Sequence, residues 1–278
     1  MQSISNNTGR ALILNREVQR DLVSREKINE VIGVCMSSKL GDSIASELLD
    51  GVIKPIFNAF ENEYQRIMFD YDLRVTLARN GDYKKDGSFY SLHITIEYKF
   101  VLKIPELKFA CVSSLSDFRE YLINPRITHT YLLPHESLPE KAFDIPTIDI
   151  QCRGKSIILE RLDEEPSKGI KVISFRGEGL SDFIGLECKL FYKVSSVIDS
   201  NGHFYFYRTK HPIKNLKITF DSGNTDITQV DVVDQFVSSG PVILHEERTY
   251  GKIIKMVSVD GWIFPNSGIT FVWGSSPR

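Results

Sequence analysis

Hydrophobic side chains recur at every second position along two long stretches of this sequence. Leu92, Ile94, Ile96, Tyr98, Phe100, Leu102 and Ile104 alternate with His93, Thr95, Glu97, Lys99, Val101 and Lys103. Ile184, Leu186, Cys188, Leu190, Tyr192 and Val194 alternate in the same way with Gly185, Glu187, Lys189, Phe191, Lys193 and Ser195. Successive side chains of a strand point to opposite faces, so this period predicts two long strands, each with one buried face. It sets His93 on the solvent side and Cys188 in the core, where a free thiol behaves as a small hydrophobe. Asp70–Leu77 is the expected hairpin partner of the first strand, joined through Asn80-Gly81-Asp82 and Lys85-Asp86-Gly87, both turn-forming.

Before residue 70 the spacing is three and four instead. Val18 and Leu22, then Ile28, Val31, Ile32 and Cys35, mark one helical stripe, and Ile44, Leu48, Leu49 and Val52 mark a second. Gly41 suits the left-handed end of the first helix and Asp42 the N-cap of the next. Gly51 and Pro55 interrupt that helix before Ile56, Phe57, Phe60, Tyr64, Ile67 and Met68 resume the stripe. Further strands are expected near 147–152, 156–161, 170–176, 203–208, 214–220, 228–233, 241–244, 252–259 and 269–273, with a short helix over Ser113–Tyr121. The acidic segment Leu162–Gly169, which carries Pro166, reads as a linker. The expected class is therefore α+β. A helical hairpin over 1–69 precedes two mainly antiparallel, sandwich-like β modules, at 70–162 and 169–278.

Composition changes little in this picture. With 278 residues, 42% hydrophobic and 25% charged, the chain is ordinary globular material. A net charge of −2 gives no global positive field to collect nucleic acid or anionic lipid. No apolar run approaches the roughly 20 residues that cross a bilayer, and Met1–Asn7 lacks the basic start and apolar run of a secretory signal. The four cysteines, at 35, 111, 152 and 188, form no Cys-x-x-Cys pair and have no neighbouring histidine. They read as reduced thiols, with no zinc site and a cytoplasmic setting.

Four short motifs invite chemistry. Ile218-Thr219-Phe220-Asp221-Ser222-Gly223 resembles the active-site turn of aspartic proteases, where two such aspartates share a proton. No second copy exists in the chain, and an Asp-Ser-Gly-Asn turn after a strand needs no catalysis. Arg153-Gly154-Lys155-Ser156 ends like a P-loop, but Asp149 stands where its first glycine belongs and strand follows, which makes it a hairpin turn. Arg176-Gly177-Glu178-Gly179 begins like a dinucleotide-binding turn, yet Asp182 replaces the third glycine. Asp221, Asn224, Asp226, Asp231 and Asp234 lack the spacing of a calcium loop. No cofactor or metal is expected.

The remaining feature is Phe204-Tyr205-Phe206-Tyr207-Arg208-Thr209-Lys210-His211, with Lys214 close behind. Aromatics interleaved with cations on a strand can stack a base and neutralise a phosphate. Tyr205, Tyr207, Arg208, Lys210, His211 and Lys214 are therefore the candidate ligand-binding residues. The leading expectation is a non-enzymatic intracellular adaptor that presents β surfaces to a ligand or protein partner and associates through its N-terminal helices. A nucleotide or nucleic-acid sensor using the strand at 204–217 is one alternative, and an aspartic hydrolase through Asp221 is the other.

Overall fold

The computed structural model describes residues 34, 36–39, 41–50, 67–79, 89–124, 126–133, 138–163, 167–265 and 267–275. Two compact units divide the chain, Met1–Glu63 and Tyr64–Arg278. In the first, α1 (Asp42–Leu48) starts at Gly41, whose φ of 84° with ψ of 153° is open to glycine but is not the left-handed helical conformation expected there. Gly41 itself is the N-cap, and Asp42 falls in the first turn, where an acid complements the helix dipole.

In the second unit strand dominates. β1 (Met68–Arg79), β2 (Phe89–Val101), β9 (Glu187–Asp199) and β5 (Asp144–Cys152) run side by side, with β6 (Lys155–Ile157) at one edge. On the other flank of β1 lie β11 (Ile213–Asp221), β14 (Lys252–Ile263) and β13 (Val242–Thr249), which completes an eight-stranded sheet. All its pairs are antiparallel except β1 with β11. A four-stranded sheet orders β4 (His129–Leu132), β3 (Glu106–Val112), β8 (Ile170–Gly177) and β7 (Leu159–Asp163). A three-stranded sheet orders β10 (Phe204–Arg208), β15 (Gly268–Ser275) and β12 (Ile227–Gln235). Short helical turns, α2 (Leu115–Ile123), α3 (Leu138–Ala142) and a 3-10 turn at Leu180–Phe183, fill connections.

Alternation explains which face is buried. Leu73, Val75 and Leu77 of β1, Ile94, Ile96 and Phe100 of β2, and Leu190 and Val194 of β9 are each at most 3% exposed. They join one core with Phe109 of β3 and Phe271 and Trp273 of β15. The small sheets thus cover the inner face of the large one. Phe220 stacks on Phe271 with ring centroids 4.9 Å apart, and Phe109 meets Tyr192 at 4.8 Å. His93 is exposed, as its place in the alternation requires.

Two expectations are corrected. The class is mainly β, not α+β: 62% of the described residues are strand, and helix among them is confined to a few short segments. The helical hairpin expected over 1–69 lies largely outside the described residues, and Met68, expected to end its stripe, instead opens β1. Nor does Leu162–Gly169 separate two sheets. It connects β7 to β8, which pair antiparallel, while β1 and β2 from one side of it pair with β11 and β9 from the other. No helix among the described residues is long and apolar enough to cross a membrane.

Candidate functional site

β10 carries the aromatic strand singled out above, and its register decides which rings face solvent. Phe204 lies beside Val272 of β15, which in turn lies beside Asp231 of β12. The next outward row is Phe206, Thr270 and Val233, and the third is Arg208, Gly268 and Gln235. Phe204 is 54% exposed, Phe206 46%, Val233 50% and Val272 38%. The outer face of this sheet is therefore an apolar patch on three adjacent strands, with Arg208, Asp231 and Gln235 around it. Gly268 fits here because a Cβ would come within 3.1 Å of the Phe206 ring and 2.8 Å of the Tyr207 carbonyl.

The six candidate residues do not assemble into one site. Tyr205 and Tyr207 point the other way, into the core, and burial pushes both phenols well above their ordinary range. Arg208 is exposed on the outward face. Lys210 is tied down, its Nζ donating to the carbonyls of Asn124 (3.0 Å) and Ile127 (3.4 Å). His211 is buried at 3% exposure, and Lys214 lies on β11 of the large sheet, between Phe69 and Trp262. The outward aromatics are Phe204 and Phe206. With rings at every position from 204 to 207, hydrophobicity alone gives β10 no preferred face.

Inward, the tyrosines form a layer where the three sheets meet. Tyr71 of β1 stacks on Tyr98 of β2 at 5.3 Å and meets Tyr207 of β10 at 5.9 Å. His129 of β4 contacts Tyr98 (5.9 Å) and Tyr192 of β9 (5.7 Å). The hydroxyls of Tyr131 and Tyr192 are 3.2 Å apart. Burial raises the pKa of Tyr71, Tyr131 and Tyr192 well above 10.0. These phenols stay protonated and serve packing.

The motif at Asp221 is a turn in its geometry. Asp221 Oδ1 accepts from the Gly223 amide at 2.7 Å, and Ser222 Oγ accepts from the Ile253 amide at 2.9 Å. Gly223, at φ 60°, lies so close to the Leu77 carbonyl that no Cβ fits. Arg153 and Gly154 both have positive φ and close the β5–β6 hairpin, as expected. Among the described residues no group of three or more His, Cys, Asp or Glu side chains is placed to hold a metal.

The cysteine reading needs correction. Cys152 of β5 and Cys188 of β9 are directly opposed in the ladder, with Cα atoms 4.4 Å apart, and form a disulfide. That separation matches a non-hydrogen-bonded antiparallel pair, the position that brings facing side chains closest. Cys188 is indeed buried in a strand, but it is not a free thiol.

At the far edge of the large sheet, Glu246 of β13 is held between Lys255 and Arg248, and the two cations draw its carboxyl down to about 2. Glu246 and Lys255, with Val232, Leu244, His245 and Met256, line a depression.

No protein-family model matches this chain, and no curated protein matches it in sequence. Among solved structures, a candidate protease from Parabacteroides distasonis is similar at a TM-score of 0.44 with 12% identity. The match covers 77% of this chain and 41% of that protein, so the chain spans less than half its length. Likeness at this level assigns neither fold nor activity.

Proposed function

We propose that this chain is a non-enzymatic binding protein, an adaptor whose receiving surface is the outer face of the three-stranded sheet. The observation that supports this is the exposure of Phe204, Phe206, Val233 and Val272 on neighbouring strands. Apolar surface left in water forgoes about 25 cal/mol per Å² that burial would return. Contiguous patches of it on soluble proteins mark interaction sites. An apolar centre edged by Arg208, Asp231 and Gln235 matches the core-and-rim pattern of protein interfaces, so the partner is a protein with an apolar patch of its own. Phe204, Phe206 and Arg208 also share one face, which keeps a nucleic-acid ligand as the competing reading. Asp231 among them and the net charge of −2 weigh against a polyanion.

The test compares the wild-type chain with Phe204→Ser/Phe206→Ser and with Arg208→Ala in quantitative affinity capture across a salt series. A protein that stays bound in high salt and is lost with the Phe pair supports the adaptor. Binding that is salt-labile, nuclease-sensitive and dependent on Arg208 would transfer the reading to nucleic acid.

The sequence placed the chain in the cytoplasm, and Cys152–Cys188 argues for a different setting. Disulfides persist in oxidising compartments, and we place the protein in one. Alkylation in cells without reductant should leave both thiols unmodified; their full modification would return the protein to a reducing compartment.

A further inference from the structure

We infer that β13 is a strand-accepting edge whose occupant is an extended segment of a partner protein, basic in one half and apolar in the other. β13 ends the eight-stranded sheet, and among the described residues β14 is the only strand paired with it. A free edge presents unpaired backbone N–H and C=O groups, which soluble proteins blunt by shortness, proline or charge. The opposite edge of the same sheet, β6, is only 3 residues long. β13 has 8 residues, from Val242 to Thr249, and all but its two end residues are exposed. Ile243 (55% exposed) and Leu244 (53%) are successive, so apolar surface flanks this edge on both faces of the sheet.

A second copy fits this edge poorly. Across a two-fold axis the N-terminal half of one β13 meets the C-terminal half of the other. That sets Ile243 and Leu244 against the charged run Glu246 to Arg248, an unfavourable cross-strand pairing. A foreign strand can match both halves. Glu246 is already neutralised by Lys255 and Arg248, whereas Glu247 accepts only from the Thr249 hydroxyl at 3.0 Å and has no cationic partner among the described residues. The complementary segment carries a cation opposite Glu247 and aliphatic side chains opposite Ile243 and Leu244. Added antiparallel, it reads basic and then apolar from its N-terminus. Ladder hydrogen bonds would supply its affinity and the alternate side chains its selectivity.

The test uses the full chain and a fluorescent synthetic peptide as long as β13, threonine-based, with lysines at alternate positions of its N-terminal half and valines in its C-terminal half. Saturable binding is expected, weakened at least about tenfold when alternate peptide amides are N-methylated, because several ladder hydrogen bonds are then lost. Glu247→Lys, or glutamates in place of the peptide lysines, should weaken it several-fold, while Phe206→Ser leaves it unchanged. Equal affinity for the N-methylated peptide, or no saturable binding, overturns the proposal. So does a concentration-dependent dimer that Leu244→Lys dissociates, since the edge would then belong to a second copy.

Discussion

Gly223 follows Asp221 and Ser222 into a turn at φ 60°, with the Leu77 carbonyl lying where a β-carbon would stand. Two penalties therefore combine in Gly223→Ala, a left-handed backbone and a clash with a strand that cannot shift without breaking its ladder. A loss of about 3 kcal/mol or more is expected from denaturant unfolding. Asp221 beside it accepts one hydrogen bond, from the Gly223 amide. An asparagine there keeps the acceptor, so Asp221→Asn should cost under about 1 kcal/mol. A proteolytic activity abolished by that substitution would instead make the turn a catalytic one. The Tyr131–Tyr192 hydroxyl pair behaves differently, because each group satisfies the other in a dry interior. Either Tyr→Phe change should cost about 1–3 kcal/mol by stranding its partner, and the double change less than the sum, measurable as a double-mutant cycle.

Among elements, β9 shows how far alternation reaches. Its period placed Cys188 on the buried face, and the structure agrees. What periodicity cannot supply is the neighbour. Cys152 lies 36 residues earlier, and only the β5–β9 register makes the two opposites. β10 was opaque for a related reason: its unbroken aromatic run offers no polar positions to mark the outer face, so nothing in the sequence separates the inward Tyr205 and Tyr207 from the exposed Phe204 and Phe206. The disulfide ties β5, next to the β6 edge, to its neighbour β9. Closing a loop of this length restricts the unfolded chain by about 3–4 kcal/mol. Cys152→Ala/Cys188→Ala should lower unfolding free energy by about that amount, and reductant should lower the stability of the wild type but not of the variant.

For the whole molecule, most strand positions were legible from the alternating pattern, while sheet order was not. Strand order depends on long-range pairing that no local window contains, such as β1 with β11 across more than a hundred intervening positions. The tyrosine layer gives this interleaving a measurable signature. Tyr71 and Tyr192 of the large sheet, Tyr131 of the four-stranded sheet and Tyr207 of the three-stranded sheet all have phenols raised above 10.0 by burial. A proton held more tightly in the folded state stabilises it fully at pH values below the ordinary phenol value, and that stability is lost as pH rises beyond it. Stability should therefore fall steeply above pH 10, with the ultraviolet signal of these tyrosines ionising only as the chain unfolds; smooth titration of every tyrosine in folded protein would contradict the layer. The same interleaving forbids dissection at Leu162–Gly169. A fragment spanning 169–278 would keep β9, β11 and β14 but lose β1 and β2, the two strands that lie between β9 and β11. The inner face of β11, with Leu216, Ile218 and Phe220, would then stand at a new open edge. Neither that fragment nor 70–162 should unfold cooperatively alone, whereas the two mixed should recover a thermal transition; a sharp transition in either fragment by itself would restore the two-module division.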